Sequence, residues 1–99
     1  MKKYPSEEEL QKYKQAFGKV FEITNGSATF ICRPVKRNEW VHVAEEDICS
    51  FKKEEKLVNL CLLWCSDDDY LNDAGIYSSL SDAIMDVSGF GDMHAREIG

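Results

Sequence analysis

Apolar residues recur along this chain in two rhythms, and each change of rhythm marks a boundary between elements. Leu10, Tyr13 and Phe17 return every three to four residues, the spacing of one helical face. Ser6 followed by Glu9 is a capping box, and Gly18 suits the position just past a helix end. The pattern predicts an amphipathic helix over residues 7–17.

From Lys19 to Pro34 the rhythm shortens to alternation, which predicts a β-hairpin spanning about 19–33. Asn25-Gly26 is the preferred pair for a type I′ loop, because both residues tolerate positive φ. A two-residue loop there pairs Thr24 with Ser27, Ile23 with Ala28, and Phe21 with Phe30. Phe21, Ile23, Ala28 and Phe30 then share one face, and Glu22, Thr24 and Thr29 share the other with Val20 and Ile31. A lone hairpin is marginal in water, so this one must lean on helices.

Helical spacing resumes after Pro34, which ends the second strand and is tolerated in a first helical turn. Residues 35–46 are expected to be helical, with Trp40 and Val43 or Ala44 turned inward. The stretch from Glu54 to Cys65 carries the strongest helical pattern. Leu57, Leu60, Cys61 and Trp64 form its stripe, widened by Val58, Leu62 and Cys65, and a stripe that wide implies a central helix. The hairpin face is expected to meet Leu57, Leu60 and Trp64.

Ser66-Asp67-Asp68-Asp69 stops that helix, and 66–78 is the longest expected loop, with Tyr70, Leu71, Ile76 and Tyr77 as anchors. The last helix is expected to start at Ser78 or Ser79, where Ser79 and Asp82 resemble a capping box. Its buried face is Leu80, Ala83, Ile84 and Val87. Gly89 and Phe90 fit a Schellman ending. The expectation is an α+β single domain over 1–99: an N-terminal helix (7–17), a core (19–90) with one antiparallel hairpin packed on about three further helices, and a flexible tail (91–99). No repeat or low-complexity segment is visible.

Composition changes this picture little but narrows the partners. The 99 residues are 43% hydrophobic and 30% charged, with net charge −6, ordinary for a globular chain. A sequence pI near 4.8 disfavours direct nucleic-acid binding, which needs a cationic stripe to displace counterions. No run of 18 apolar residues exists, so no membrane span is expected. Met1-Lys2-Lys3 is followed by Tyr4-Pro5-Ser6-Glu7 rather than an apolar stretch, so no signal peptide is expected. Cys32, Cys49, Cys61 and Cys65 are then expected to be reduced thiols of a cytosolic compartment.

Reactive constellations are weak. Cys61 and Cys65 have the spacing of two ligands on a helix, with Cys32, Cys49, His42 and His94 as further candidates. No Cys-x-x-Cys knuckle is present, and a buried thiol packs well, so core cysteines without metal are expected. Cys49 with His42 lacks any third group or glycine-rich turn of a catalytic site. Asp67, Asp68, Asp69 and Asp73 lack the ligand order of a calcium loop. The expectation is no enzyme, no catalytic residue, no cofactor and no metal. Arg33, Lys36 and Arg37 form the basic cluster. They are exposed and merely solubilising, or pair with Glu39 or the acidic 66–73 segment, or form a docking patch for an acidic partner; a structural role is favoured, since exposed ion pairs are common and individually weak.

The string Phe30-Ile31-Cys32-Arg33-Pro34-Val35-Lys36-Arg37-Asn38-Glu39-Trp40 joins a hairpin to a helix through an aromatic–Ile–x–Arg-Pro-x-x-Arg-x-Glu-aromatic motif. It is followed by an acidic stretch, the Leu57–Cys65 run, Ala74-Gly75, and the Leu-Ser-x-x-Ile-x-x-x-Ser-Gly-Phe string of Leu80 to Phe90. In this order, over roughly residues 19–90, the chain resembles small tail-assembly or baseplate-associated proteins of myophages. These include tail assembly chaperones encoded near the tape-measure gene. The family often has a proline after the central helix, where this chain has Trp64-Cys65-Ser66, and the Glu7–Phe17 helix looks like an addition.

The resemblance implies a non-enzymatic phage protein acting by protein–protein contact in tail or baseplate assembly, as a virion component or a chaperone. Its partners would be other tail or baseplate proteins, the tape measure among them, in the virion or the host cytoplasm. The candidate protein-binding residues are Arg33, Lys36, Arg37, Trp40, Tyr70, Tyr77 and Phe90. A second reading is a small acidic inhibitor of a host enzyme, presenting carboxylates where phosphates would sit. Against it, Lys52, Lys53 and Lys56 interrupt the acidic run. A zinc-binding module is a third reading.

Overall fold

A computed structural model describes residues 2–91 and 95–99. Among these residues the order is α1 (Glu7–Phe17), β1 (Phe21–Asn25), β2 (Ala28–Cys32), α2 (Arg37–Glu45), α3 (Ser50–Cys61), β3 (Leu62–Cys65), a short 3-10 helix (Asp68–Asn72) and α4 (Ile76–Val87). The strands form one antiparallel sheet in the order β1-β2-β3. The protein is α+β, as the alternation of rhythms predicts.

The first helix has the expected bounds. Ser6 Oγ accepts from Glu9 N at 3.2 Å. Gly18 N donates to Lys14 O, and Gly18 takes φ +83, which closes the helix. No residue of α1 is fully buried, so this helix lies on the domain rather than in it.

The hairpin face is as expected, but its register is not. Ile23 pairs with Phe30, Phe21 with Cys32, and Asn25 with Ala28, so the loop is Gly26-Ser27 rather than Asn25-Gly26. Gly26 has φ +61, and among the described residues no non-glycine residue has positive φ. Positive φ at the first loop position alone is the type II′ turn. The slip from the expected register is two residues, and a two-residue slip preserves which side chains face the core.

A larger correction concerns the central helix. It starts earlier, at Ser50, and stops at Cys61, where the chain turns extended and becomes β3. Arg33 N donates to Cys61 O at 2.9 Å, so a carbonyl left unpartnered at the helix end is satisfied from the chain leaving β2. Ser66 then seals the other end of β3: its N donates to Thr29 O, and its Oγ accepts from Thr29 N. The free edge of β2 captures Leu62–Cys65, and a bulge at Leu63 absorbs the extra residue. Cys61 and Cys65 therefore do not share a helix face.

This break reassigns the stripe. Phe30, Cys32, Leu57, Val58, Cys61, Cys65, Leu80 and Ile84 join one buried cluster, with Phe30 fully enclosed. Leu60, expected to meet the hairpin, is 42% exposed. Trp64 pairs with Ile31 on the opposite face of the sheet. Ile31 is buried outside the main cluster. On its side of the sheet Tyr4 meets the Trp64 ring edge-on at 5.5 Å, and Lys2 N donates to Ser66 O.

The expected 66–78 loop is also shorter. Asp67 caps the 3-10 helix through Asp69 N, and α4 begins at Ile76 instead of Ser78 or Ser79. Ile76 is a buried anchor, and Ser79 N donates to Gly75 O as part of the first turn, so Ser79 is inside the helix and does not cap it. Likewise α2 starts at Arg37, two residues beyond the expected start, with Pro34 outside it. The expected tail lies partly outside the described residues; Ala95–Gly99 are exposed and carry neither helix nor strand.

Candidate functional site

The chain leaving β2 and the end of α4 meet at one junction, and each half has a local reason for its shape. Arg33 continues the alternation of β2 and is 8% exposed. Its Nη1 and Nη2 donate to the two carboxylate oxygens of Glu39, each at 2.8 Å. Such a two-pronged pair fixes geometry as well as charge. Glu39 Oε1 also accepts from the Lys36 backbone N at 3.0 Å, which caps the start of α2. Nη1 reaches Pro34 O at 3.2 Å, and the guanidinium lies 5.2 Å from the centre of the Phe17 ring. One carboxylate thus starts a helix and neutralises a buried cation.

The electrostatics follow from that bond. The Arg33 hydrogen bonds hold the Glu39 carboxyl down to about 2, against an opposing effect of partial burial. The same bonds raise the Arg33 pKa. Arg33 is therefore committed within the fold. The cations open to a partner here are Lys36 and Arg37, both exposed.

The α4 half ends as expected. Phe90 N donates to Met85 O at 3.1 Å, Gly89 N to Asp86 O, and Gly89 takes φ +98. This is the Schellman pattern, with glycine at the position that needs positive φ. Ser88 stitches the halves together: its Oγ accepts from Val35 N at 2.8 Å and donates to Ile84 O. The sequence reading missed Ser88, since no pattern announces a hydroxyl that bonds across 53 residues.

These bonds place the Phe90 ring 5.3 Å from Trp40, tilted by 50°. Phe90 is 43% exposed and Trp40 half-buried. A cavity of about 190 Å³ opens beside them, lined by Val35, Arg37, Trp40, Ser88, Gly89 and Phe90. A second, of about 200 Å³, lies on the other side of Trp40 between α2, α3 and α4.

Of the expected binding residues, Arg37, Trp40 and Phe90 line one cavity, Lys36 is the N-cap residue of α2, and Arg33 is a buried structural cation. Tyr70 and Tyr77 are elsewhere. Both are half-buried against the core, and Tyr70 OH shares a 2.9 Å hydrogen bond with Ser27 Oγ. The acidic segment does not pair with the basic cluster: Asp68 binds Lys2 Nζ at 2.8 Å, and Asp67 caps its own turn.

All four thiols are free, with Cys49 exposed and the rest buried. Burial pushes the Cys32 thiol up to about 12 and the Cys61 thiol to about 11, so both stay protonated at neutral pH. Cys65 Sγ donates to Asp67 O at 3.1 Å. The exposed His42 lies 4.0 Å from Glu46. Among the described residues no group of three or more His, Cys, Asp or Glu gathers as metal ligands do; the candidate ligand His94 lies outside them. No described helix is long and apolar enough to cross a membrane. No protein-family model, curated protein or solved structure matches the chain.

Proposed function

We propose that this protein acts without catalysis, by docking to other proteins during tail or baseplate assembly of a tailed bacteriophage. One observation carries the reading. The Phe30–Trp40 and Leu80–Phe90 strings, on which the phage resemblance rests, end on the two aromatic rings that touch at the junction. The motif residues thus build a half-open aromatic pair with Arg37 on its rim. Trp and Arg are the residue types that dominate interface energetics. The Arg33–Glu39 pair, the Ser88 bridge and the Schellman turn hold this surface in place before any partner arrives, which lowers the ordering cost of binding.

The partner is a tail or baseplate protein, the tape measure being one, and the site of action is the virion or the host cytoplasm. Mass spectrometry of purified particles separates two roles: stoichiometric presence makes the protein a virion component and sinks a pure chaperone role. The docking surface is tested by pull-down of tail proteins with Arg37→Glu and with a chain truncated after Phe90, which removes the expected flexible tail as a further docking element that orders on a partner, beside melting curves. Both variants weaken capture while the melting midpoint stays put. Full capture by both sinks the assignment. A host nuclease or polymerase as the main partner replaces it with the acidic-inhibitor reading.

A further inference from the structure

A second surface lies along the N-terminal half of α4, away from the junction. There the edge strand β1 and α4 enclose a groove of about 350 Å³, with Ile23, Ile76, Leu80 and Ala83 among its walls and Phe30 beneath. In a two-residue hairpin the pairs counted from the loop alternate between bonded and non-bonded. Asn25, Ile23 and Phe21 therefore bond to β2, and the N–H and C=O groups of Thr24 and Glu22 point outward. The other side of β2 obeys the same alternation: Thr29 and Arg33 are the residues bonded toward β3 and the end of α3. Among the described residues no backbone hydrogen bond reaches the outer edge of β1.

The two edges of the sheet are treated differently. β3 has a bulge, and Lys2 N covers the Ser66 carbonyl just past its end. β1, Phe-Glu-Ile-Thr-Asn, has no proline, lysine or bulge, three devices that stop an edge from pairing, and Glu22 is its single charge. The surroundings are acidic. Asp82 and Asp86 follow Ser79 by three and seven residues, so they border the groove-lining side of α4, and both are exposed. Glu22 projects from the other face of β1, where its carboxylate also accepts a 3.3 Å hydrogen bond from Tyr4 OH.

We infer that β1 and this groove bind an extended segment of a partner protein with alternating apolar and basic side chains, added as a fourth strand. Two donors and two acceptors on Glu22 and Thr24 hold its backbone. Alternate apolar side chains enter the groove, the basic ones lie on the opposite face beside Glu22, and the Asp82–Asp86 flank adds longer-range attraction for a cationic segment. Strand addition takes affinity from the backbone and specificity from alternate side chains. This inference is independent of the tail-assembly reading and of the Trp40–Phe90 junction.

The test uses the full chain and a capped octapeptide of alternating valine and lysine, followed by amide NMR and hydrogen exchange. Binding should slow exchange of the Glu22 and Thr24 amides at least tenfold. It should weaken at least tenfold for a Val–Glu peptide and for a Val–Lys peptide N-methylated on alternate residues. The exposed pair Asp82→Lys with Asp86→Lys should also weaken it, with an unchanged melting midpoint. No binding at millimolar peptide, equal binding of the N-methylated peptide, or perturbation confined to another surface each overturns the inference.

Discussion

Replacing Glu39 by glutamine removes one negative charge with little change in shape. Arg33 then remains buried and charged, with one amide oxygen in place of two carboxylate oxygens. Each tenfold change in proton affinity is worth about 1.36 kcal/mol. The fall of Glu39 from the ordinary 4.5 to about 2 sets a ceiling of about 3 kcal/mol on what its charge contributes. The Glu39 side chain is 24% exposed, so solvent screening removes part of this and a loss of about 2 kcal/mol is expected. In a chain of 99 residues that lowers the melting midpoint by about 10 °C. The pH dependence gives the sharper check. A carboxylate whose folded pKa is depressed stabilises fully above its unfolded value and loses that effect as pH falls through the folded one. The gap between wild type and Glu39→Gln should be complete above 4.5 and close as the pH approaches about 2. Urea unfolding of both proteins across that range measures it, since carboxylates that titrate alike in both cancel in the difference. No gap at neutral pH, or a gap as large near pH 2 as at neutrality, refutes the reasoning.

Other consequences are equally direct. Phe30→Ala empties the centre of the core and should cost roughly 3–5 kcal/mol by chemical unfolding; an unchanged midpoint would remove Phe30 from the core. Native thiol labelling should be fast at the exposed Cys49 and slow at Cys32, Cys61 and Cys65, which are buried; rapid labelling of Cys61 and Cys65 would contradict their packing. Ser88→Ala strips the Val35 N–H of its partner and should cost about 1–2 kcal/mol, read from the same melts; no loss would show that the bridge holds nothing together.

Local chemistry was legible and tertiary choices were not. The bounds of α1 and the Schellman end of α4 rest on residues within a few positions of each other, so Ser6, Glu9, Gly18, Gly89 and Phe90 announced them. The hairpin face survived a wrong loop because alternation fixes parity, whereas the loop depended on which position Gly26 would take. Leu57 to Cys65 misled because an unbroken apolar run reads equally as buried helix or buried strand. What ended the helix was the Arg33 N–H and the vacant edge of β2, both remote in sequence. The same break moved Leu60 outward and Trp64 to the far face. At the candidate site, Arg33 pairing with Glu39 is one of several options the sequence offers, because the residues are six apart. Ser88 meeting Val35 is not, and neither is the contact between Trp40 and Phe90, since both depend on how α2 and α4 come together.

The docking claim is tested most directly by affinity capture with the wild-type chain and Arg37→Glu from phage-infected cells, read by mass spectrometry beside the melting curve of each protein. Tail or baseplate proteins should copurify with the wild type and fall away with Arg37→Glu, at the same melting midpoint. Equal capture of those proteins by both chains, or a host enzyme as the principal partner, would contradict it.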